Sequence, residues 1–149
     1  MEAPQTPDPS PMIIGWREFL ALPDWGIPRI KAKIDTGART SAVHVDNIEL
    51  LPDDRIRFEV VVREKPRFTV PVETTIHRFS RVRPTHDRVE MRPVVLTRLQ
   101  LGEVEQVIEL ALVARPGMLC RMLLGRRALG PGILVDANRR YVVSSSVLR

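Results

Sequence analysis

The sequence predicts an all-β fold, and three observations support this prediction. Thirteen prolines and eight glycines are spread through the 149 residues, which suits short strands and frequent turns better than long helices. Several runs alternate apolar and polar residues with the two-residue period of a half-buried strand, most clearly residues 55–60. Turn-forming residues such as Pro52-Asp53-Asp54 separate these runs. At this length the chain can bury one core of ordinary size, so we expect one domain.

The chain begins with a segment that we expect to be a disordered leader. Residues 1–11 hold four prolines among polar residues and offer little apolar surface to offset the entropy lost on ordering. The domain itself is therefore predicted to span residues 12–149. Its first strand begins at Met12, and residues 16–22 predict either a short helical turn or a second strand that stops at Pro23.

Three further strand signals follow in the first half of the domain. Residues 30–34 alternate in character and deliver Asp35 at the end of a strand. Residues 48–51 and 55–62 flank a tight turn, which is typical of a β-hairpin. Residues 68–72 predict a strand near a sheet edge, because their proline cannot donate a hydrogen bond to a neighbouring strand.

The second half begins with a polar and basic stretch, residues 73–92, which predicts a mobile β-hairpin or a long loop. Residues 93–101 and 104–113 then predict a two-strand unit joined at Gly102-Glu103.

The C-terminal part predicts a short strand, a helical turn and a hairpin. Residues 122–124 form the apolar strand, residues 127–129 start the helical turn, and Gly130-Pro131-Gly132 ends it. Residues 133–136 and 140–143 are then expected to close the chain as a last hairpin.

The charge of the chain is basic, with a formal net charge of +5 and a pI near 10.3. Its arginines are scattered among strand residues without a block of five or six like charges, which indicates a solvated face rather than a dedicated binding tract. The sequence also lacks the interleaved basic and stacking aromatic residues of single-strand binders. We therefore expect no specific nucleic-acid partner.

The single cysteine, Cys120, excludes an internal disulfide and is compatible with a reducing compartment. It lies in an apolar run, so we expect a buried thiol rather than a nucleophile. No apolar run approaches the roughly 20 residues of a membrane helix, and the N-terminus lacks the pattern of a signal peptide. We expect a cytoplasmic protein without a membrane partner.

The segment Ile34-Asp35-Thr36-Gly37-Ala38 has the composition of a catalytic carboxylate loop. An aspartate at the end of an apolar strand is held rigidly, a threonine can fix the loop by hydrogen bonding, and glycine permits close backbone approach. Taken alone, Asp-Thr-Gly also suits an ordinary turn.

A second element ninety residues later strengthens the catalytic interpretation. Leu123-Leu124-Gly125-Arg126, followed by a short predicted helix, resembles the second conserved segment of the retroviral-type aspartic proteases, the retropepsins, and Ile34 to Ala38 resembles the first. The stretch from Lys33 to His44 is similar to a bacterial family labelled ATP-dependent zinc proteases or retropepsin-like aspartic endopeptidases. That likeness covers nearly everything after residue 12.

The resemblance implies a closed acid-protease barrel with one short C-terminal helix and the activity of an aspartic endopeptidase. It also implies a role for eight residues. These are catalytic Asp35, Thr36 and Gly37, substrate-binding Ala38 and Arg39, and structurally supporting Leu124, Gly125 and Arg126.

The chemistry of this family predicts a homodimer. Hydrolysis by this route needs two carboxylates roughly 3 Å apart that share one proton, because two like charges so close cannot both ionise. The Asp-Thr-Gly motif occurs once, at Asp35, so a single-domain chain obtains the second carboxylate from a symmetry-related copy. By the same resemblance, Thr36 braces the partner loop and the 73–92 segment is a flap that covers a peptide substrate.

The zinc and ATP in the family label find no support in the motifs of the chain. There is no His-Glu-x-x-His, no glycine-rich phosphate loop and no ligand spacing among His44, His77 and His86. Folding could still gather His44 with Asp35 or His77 with His86, although partly exposed strand or loop histidines are the simpler expectation. We predict no metal site and no cofactor.

A non-catalytic reading stays open, because a fold does not guarantee an activity. In this alternative the chain is a retropepsin-fold module that binds a peptide or a ribosomal protein. The family resemblance also implies an association with ATP-grasp enzymes that add glutamates to ribosomal proteins, which would suit a basic protein that acts on acidic tails.

Overall fold

A computed structural model of the chain describes residues 10–114 and 120–144. The elements are β1 (Met12–Gly15), β2 (Arg17–Leu22), a 3-10 turn (Pro23–Trp25), β3 (Ile27–Asp35), β4 (Ser41–Leu51), β5 (Arg55–Glu64), β6 (Arg67–Thr75), β7 (Arg78–Thr85), β8 (Arg88–Leu101), β9 (Val104–Val113), β10 (Met122–Gly125), α1 (Arg126–Leu129) and β11 (Ile133–Asp136).

Six strands form a closed barrel in the order β10, β3, β2, β8, β9 and β4, and β10 closes the ring because it pairs with both β3 and β4. The interior is filled by inward-facing apolar residues from all six strands, as the two-residue side-chain period requires. The largest fully buried side chains include Ile30, Leu99, Leu110, Met122 and Leu124. The all-β barrel and the short C-terminal helix that the sequence predicted are therefore confirmed.

Two hairpins and a small sheet extend from the barrel. β5 and β6 continue the sheet beyond β4, and β6 lies at its end, as its proline predicted. β7 pairs with β8 over residues 78–94 and makes a protruding hairpin. β1 and β11 pair in parallel as a separate two-stranded sheet.

Most of the predicted elements are found where the sequence placed them. The segment 17–22 is a strand rather than a helical turn, and the predicted two-strand unit is formed by β8 and β9 in continuous antiparallel register. The predicted 73–92 segment divides: residues 73–75 complete β6, and the hairpin itself starts at Arg78.

The predicted last hairpin is wrong. β11 pairs with β1 instead of residues 140–143, which form no strand. The amides of Val142 and Val143 donate instead to Glu18 Oε2, at 2.9 and 3.3 Å. The Glu18 carboxylate thus accepts the hydrogen bonds that a neighbouring strand was expected to accept, so both amides are paired although this segment joins no sheet.

The predicted leader lies mostly in residues 1–9, outside the described residues, so it stays a prediction. In the described part of the chain, no helix is both long and apolar enough to cross a membrane.

Candidate active site

Asp35 is the last residue of β3 and is only partly buried, at the point where the strand leaves the barrel. Its Oδ1 accepts a hydrogen bond from Gly37 N at 3.0 Å, and Ala38 N donates to Asp35 O at 3.2 Å. This tight loop holds the carboxylate against one backbone donor, Gly37 N, while leaving it accessible. Thr36, Gly37 and Arg39 are exposed around it, and Ala38 is partly buried.

β10 lies beside this loop and fixes its position. Leu124 is aligned with Ile34, and Gly125 with Asp35, in a parallel pairing of β10 with β3. The structure thus brings together the two segments that are ninety residues apart in sequence. Ser41 Oγ accepts a buried hydrogen bond from Gly125 N at 3.0 Å, which secures the end of β10.

Gly125 lies in such close contact with the loop that no side chain fits there. A Cβ at this position would lie 2.9 Å from the backbone carbon of Thr40 and 3.0 Å from the carbonyl oxygens of Ala38 and Arg39. Real Cβ atoms do not approach backbone so closely, and backbone cannot move aside as a flexible side chain would. Glycine is therefore required here by contact distance.

Arg126 ties α1 to the Asp35 loop. Its Nη1 donates to the carbonyl oxygen of Gly37 at 3.2 Å and lies 3.5 Å from that of Thr36. Its backbone N donates to Ala38 O at 2.8 Å. The side chain thus satisfies carbonyl oxygens of the loop that carries Asp35.

An ion pair lies on the other side of the loop, at the base of the β7–β8 hairpin. Arg78 Nε and Nη2 donate to the two carboxylate oxygens of Glu109, both at 2.9 Å, and Nη2 also lies 3.5 Å from Thr40 Oγ1. The hydrogen bonds from Arg78 lower the pKa of the Glu109 carboxyl below its ordinary value. This two-point contact joins the hairpin to β9 beside the Asp35 loop.

The three histidines lie in different surroundings. His44 is buried, with Nε2 3.9 Å from Glu64, so the expectation of a partly exposed histidine is wrong at this position. His77 Nε2 lies 3.3 Å from Glu109, and His86 is exposed in the β7–β8 turn. Over residues 10–114 and 120–144, no three His, Cys, Asp or Glu side chains are grouped as a metal site would require.

Sequence reasoning missed Arg78 and Glu109, which have no motif spacing to mark them. The sequence offers only a weak indication of the role of Ser41, which lies in the small polar stretch after Asp35. Cys120 is buried, as its apolar setting predicted.

The chain is similar to known proteins over most of its length. It is 40% identical over 129 residues to a protein named probable alpha-L-glutamate ligase from Parasynechococcus marenigrum (strain WH8102), covering 84% of this chain and 28% of that relative. A protein of the same name from Shewanella halifaxensis (strain HAW-EB4) is 33% identical over 133 residues, covering 87% and 29%. The chain thus spans less than a third of the length of these relatives.

A solved structure has the same fold. The crystal structure of a protein of unknown function from Legionella pneumophila superposes with a TM-score of 0.73 at 28% identity, over 89% of this chain and 98% of that one. The family described as retropepsin-like aspartic endopeptidase RimB matches residues 13–146. The chain therefore belongs to the RimB-like family of retropepsin-like aspartic endopeptidases.

Proposed function

We propose that this chain is an aspartic endopeptidase that works as a homodimer. The observation that carries the proposal is the setting of Asp35: a partly exposed carboxylate, held by Gly37 N and backed by the Gly125 and Arg126 contacts. The proposed substrate is a peptide bond of a protein or peptide.

The need for a partner copy follows from the number of carboxylates. The sequence holds one Asp-Thr-Gly, and two such carboxylates sharing a proton are needed to activate water and protonate the substrate oxygen. The exposed hydroxyl of Thr36 makes no hydrogen bond within the described residues, which leaves it available to a partner loop. Ala38 and Arg39 are proposed to border the bound substrate.

The proposed reaction needs no metal ion or nucleotide. One Asp35 carboxylate takes a proton from water as the water oxygen attacks the scissile carbonyl, and the protonated Asp35 of the partner copy gives its proton to the carbonyl oxygen. On collapse of the tetrahedral intermediate the C–N bond breaks: the first Asp35 gives the proton that it took from water to the leaving amine, and a hydroxyl of the intermediate returns a proton to the carboxylate of the partner copy. The β7–β8 hairpin is proposed to be the flap that covers the substrate.

Asp35→Asn tests the proposal, because an amide cannot act as the general base. Cleavage of a denatured-protein or peptide library, followed by mass spectrometry from acidic to neutral pH, is expected to fall by at least about a hundredfold. Asp53→Asn, in the exposed turn between β4 and β5, is the matched control and is expected to keep wild-type activity. Equal cleavage by wild type and Asp35→Asn would contradict the proposal.

A second candidate function is a non-catalytic binding module that acts with a glutamate ligase. The observation in its favour is that relatives named alpha-L-glutamate ligases carry a similar region within much longer chains. We propose such a ligase, one that modifies ribosomal proteins, as the partner. Binding of the ligase by wild type and Asp35→Asn alike, with no cleavage by either, would favour this candidate over the protease.

A further inference from the structure

The carboxylate of Glu109, on β9 in the barrel wall, is a meeting point for elements that surround the Asp35 loop. At the base of the β7–β8 hairpin, Arg78 donates to both of its oxygens at 2.9 Å, and His77 Nε2 lies 3.3 Å away. The pKa of the Glu109 carboxyl is lowered mainly by the hydrogen bonds from Arg78, and further by the charges of His77 and of Arg127 on α1. One side chain thus connects the hairpin, the helix and the barrel.

Two of these cations also contact the Asp35 loop. Arg78 Nη2 lies 3.5 Å from Thr40 Oγ1. The backbone N of Arg127 donates to the carbonyl oxygen of Arg39 at 3.3 Å. The loop is therefore linked to the shared carboxylate from the hairpin side by one arginine and from the helix side by the other.

A shift of Thr40 is passed on to Asp35 because the backbones between them are in close contact. The next residue, Ser41, accepts the hydrogen bond of Gly125 N at its Oγ, at 3.0 Å. A Cβ on Gly125 would lie only 2.9 Å from the backbone carbon of Thr40. Gly125 is in turn aligned with Asp35 in the pairing of β10 with β3. The positions of the hairpin base and of Asp35 are therefore not independent, since closely packed groups transmit displacement.

The pair of Glu109 with Arg78 is also less exposed than a similar pair on the same strand. Side-chain exposure is 25% for Glu109 and 36% for Arg78, against 50% for Glu105 and 49% for its partner Arg98. Water and salt screen a partly buried pair less than an exposed one. The planar fork of Arg78 fixes orientation as well as distance. This pair is therefore suited to set a geometry, and the Glu105 pair offers a matched comparison.

We propose that Glu109 is a positioning residue of the active site, which acts through Arg78 and Thr40 to hold the hairpin base and the loop after β3 in one fixed relation. The inference rests on the proposed endopeptidase function and adds to it a coupling between closure of the hairpin over a substrate and the placement of Asp35. In this role Glu109 touches neither the substrate nor the reacting atoms. Its loss should therefore lower the rate of the chemical step more than it weakens substrate binding.

Cleavage kinetics of the full chain, with a peptide that wild type cleaves in the library, measure this effect. Glu109→Gln keeps the shape of the side chain and removes its charge, so kcat is expected to fall at least about tenfold while KM changes less than about threefold. Thr40→Val, which removes the hydroxyl, should act in the same direction, and Thr40→Ser should retain at least about half of the wild-type kcat. Glu105→Gln, which removes the exposed pair with Arg98, is the matched control and should keep both constants.

Hydrogen exchange tests the coupling without cleavage, on the Asp35→Asn chain. Adding Glu109→Gln should speed exchange in residues 36–41 and 78–92 together, by at least about fivefold, and adding Glu105→Gln should leave both segments unchanged. Faster exchange in residues 78–92 alone would overturn the inference, because Glu109 would then only anchor the hairpin.

The kinetic arm can overturn the inference independently. A wild-type kcat in Glu109→Gln, or an equal loss of kcat in Glu105→Gln, would show that Glu109 does not position the loop. Either result leaves the proposed function intact, because wild type still cleaves. Absence of cleavage by wild type would count against the proposed function itself, and the exchange of residues 36–41 would then decide the coupling.

Discussion

Glu18 is an acidic residue at a core position of β2, where an apolar side chain would be expected. It is fully buried, yet its two oxygens accept from Gly15 N at 2.6 Å, Ser144 N at 3.1 Å and Ser144 Oγ at 2.6 Å, besides the amides of Val142 and Val143. Several N–H donors can compensate the loss of water around a buried charge. Glu18 thus anchors the segment after β11 to the start of the barrel.

Glu18→Gln is expected to lower the free energy of unfolding by about 2–4 kcal/mol, because one acceptor oxygen becomes an NH₂ donor that faces backbone donors. Urea unfolding measures the change. Glu103→Gln, in the exposed turn between β8 and β9, is the control and is expected to change stability by less than about 0.5 kcal/mol. Equal free energies of unfolding for the two variants would show that the Glu18 hydrogen bonds make no net contribution to stability.

Among the elements, the β7–β8 hairpin is joined to β9 at its base by the two-point Arg78–Glu109 ion pair. The Arg78–Glu109 contact lies beside Thr40, so it connects the proposed flap to the loop that carries Asp35. Along its length the hairpin exposes Phe79, Val89 and Met91. A hairpin with exposed apolar side chains and an anchored base suits a cover that closes over a ligand.

The anchor predicts a specific dependence of stability on pH. Hydrogen bonds from Arg78 hold the pKa of Glu109 below its ordinary value of 4.5, so the folded state keeps this carboxylate ionised where the unfolded state takes up a proton. The stabilisation is therefore present above that value and is lost as the pH falls below it. Wild type should lose more stability than Glu109→Gln between about pH 6 and pH 3.

Urea midpoints across that pH range measure the difference. Arg78→Lys should lose part of the same acid dependence, because a lysine cannot make the two-point contact. Arg83→Lys, an exposed change farther along the same strand, is expected to follow wild type. If the urea midpoints of wild type and Glu109→Gln fall in parallel as the pH is lowered, the Arg78–Glu109 pair does not contribute to the loss of stability in acid.

For the whole molecule, the proposed Asp35 dyad predicts how far an inactive variant lowers the activity of wild type when the two form mixed dimers. When wild type is mixed with an equal amount of Asp35→Asn and the subunits exchange, about one quarter of the dimers carry two Asp35 carboxylates. Activity per total chain should fall to about that fraction rather than to one half. Mixing with the Asp53→Asn chain serves as the control and should leave activity unchanged; a fall to one half with Asp35→Asn would indicate that each chain acts alone.

The sequence by itself determined the strands, the main turns and the loop that carries Asp35. These features depend on neighbouring residues: a two-residue apolar period marks a strand, and proline, glycine and aspartate mark its ends. The motifs around Asp35 and Gly125 can also be recognised from the sequence, because each is a short run of particular residue types. For these reasons the barrel strands and the short helix can be predicted from the sequence alone.

Only the tertiary structure decided which distant segments meet. From the sequence we expected residues 140–143 to pair with β11. In the structure β11 pairs with β1 instead, and the amides of Val142 and Val143 donate to Glu18. The Arg78–Glu109 pair and its contact with Thr40 likewise combine residues from several elements. Such contacts depend on strand order, register and the packing of the whole core, and local periodicity carries no information about them.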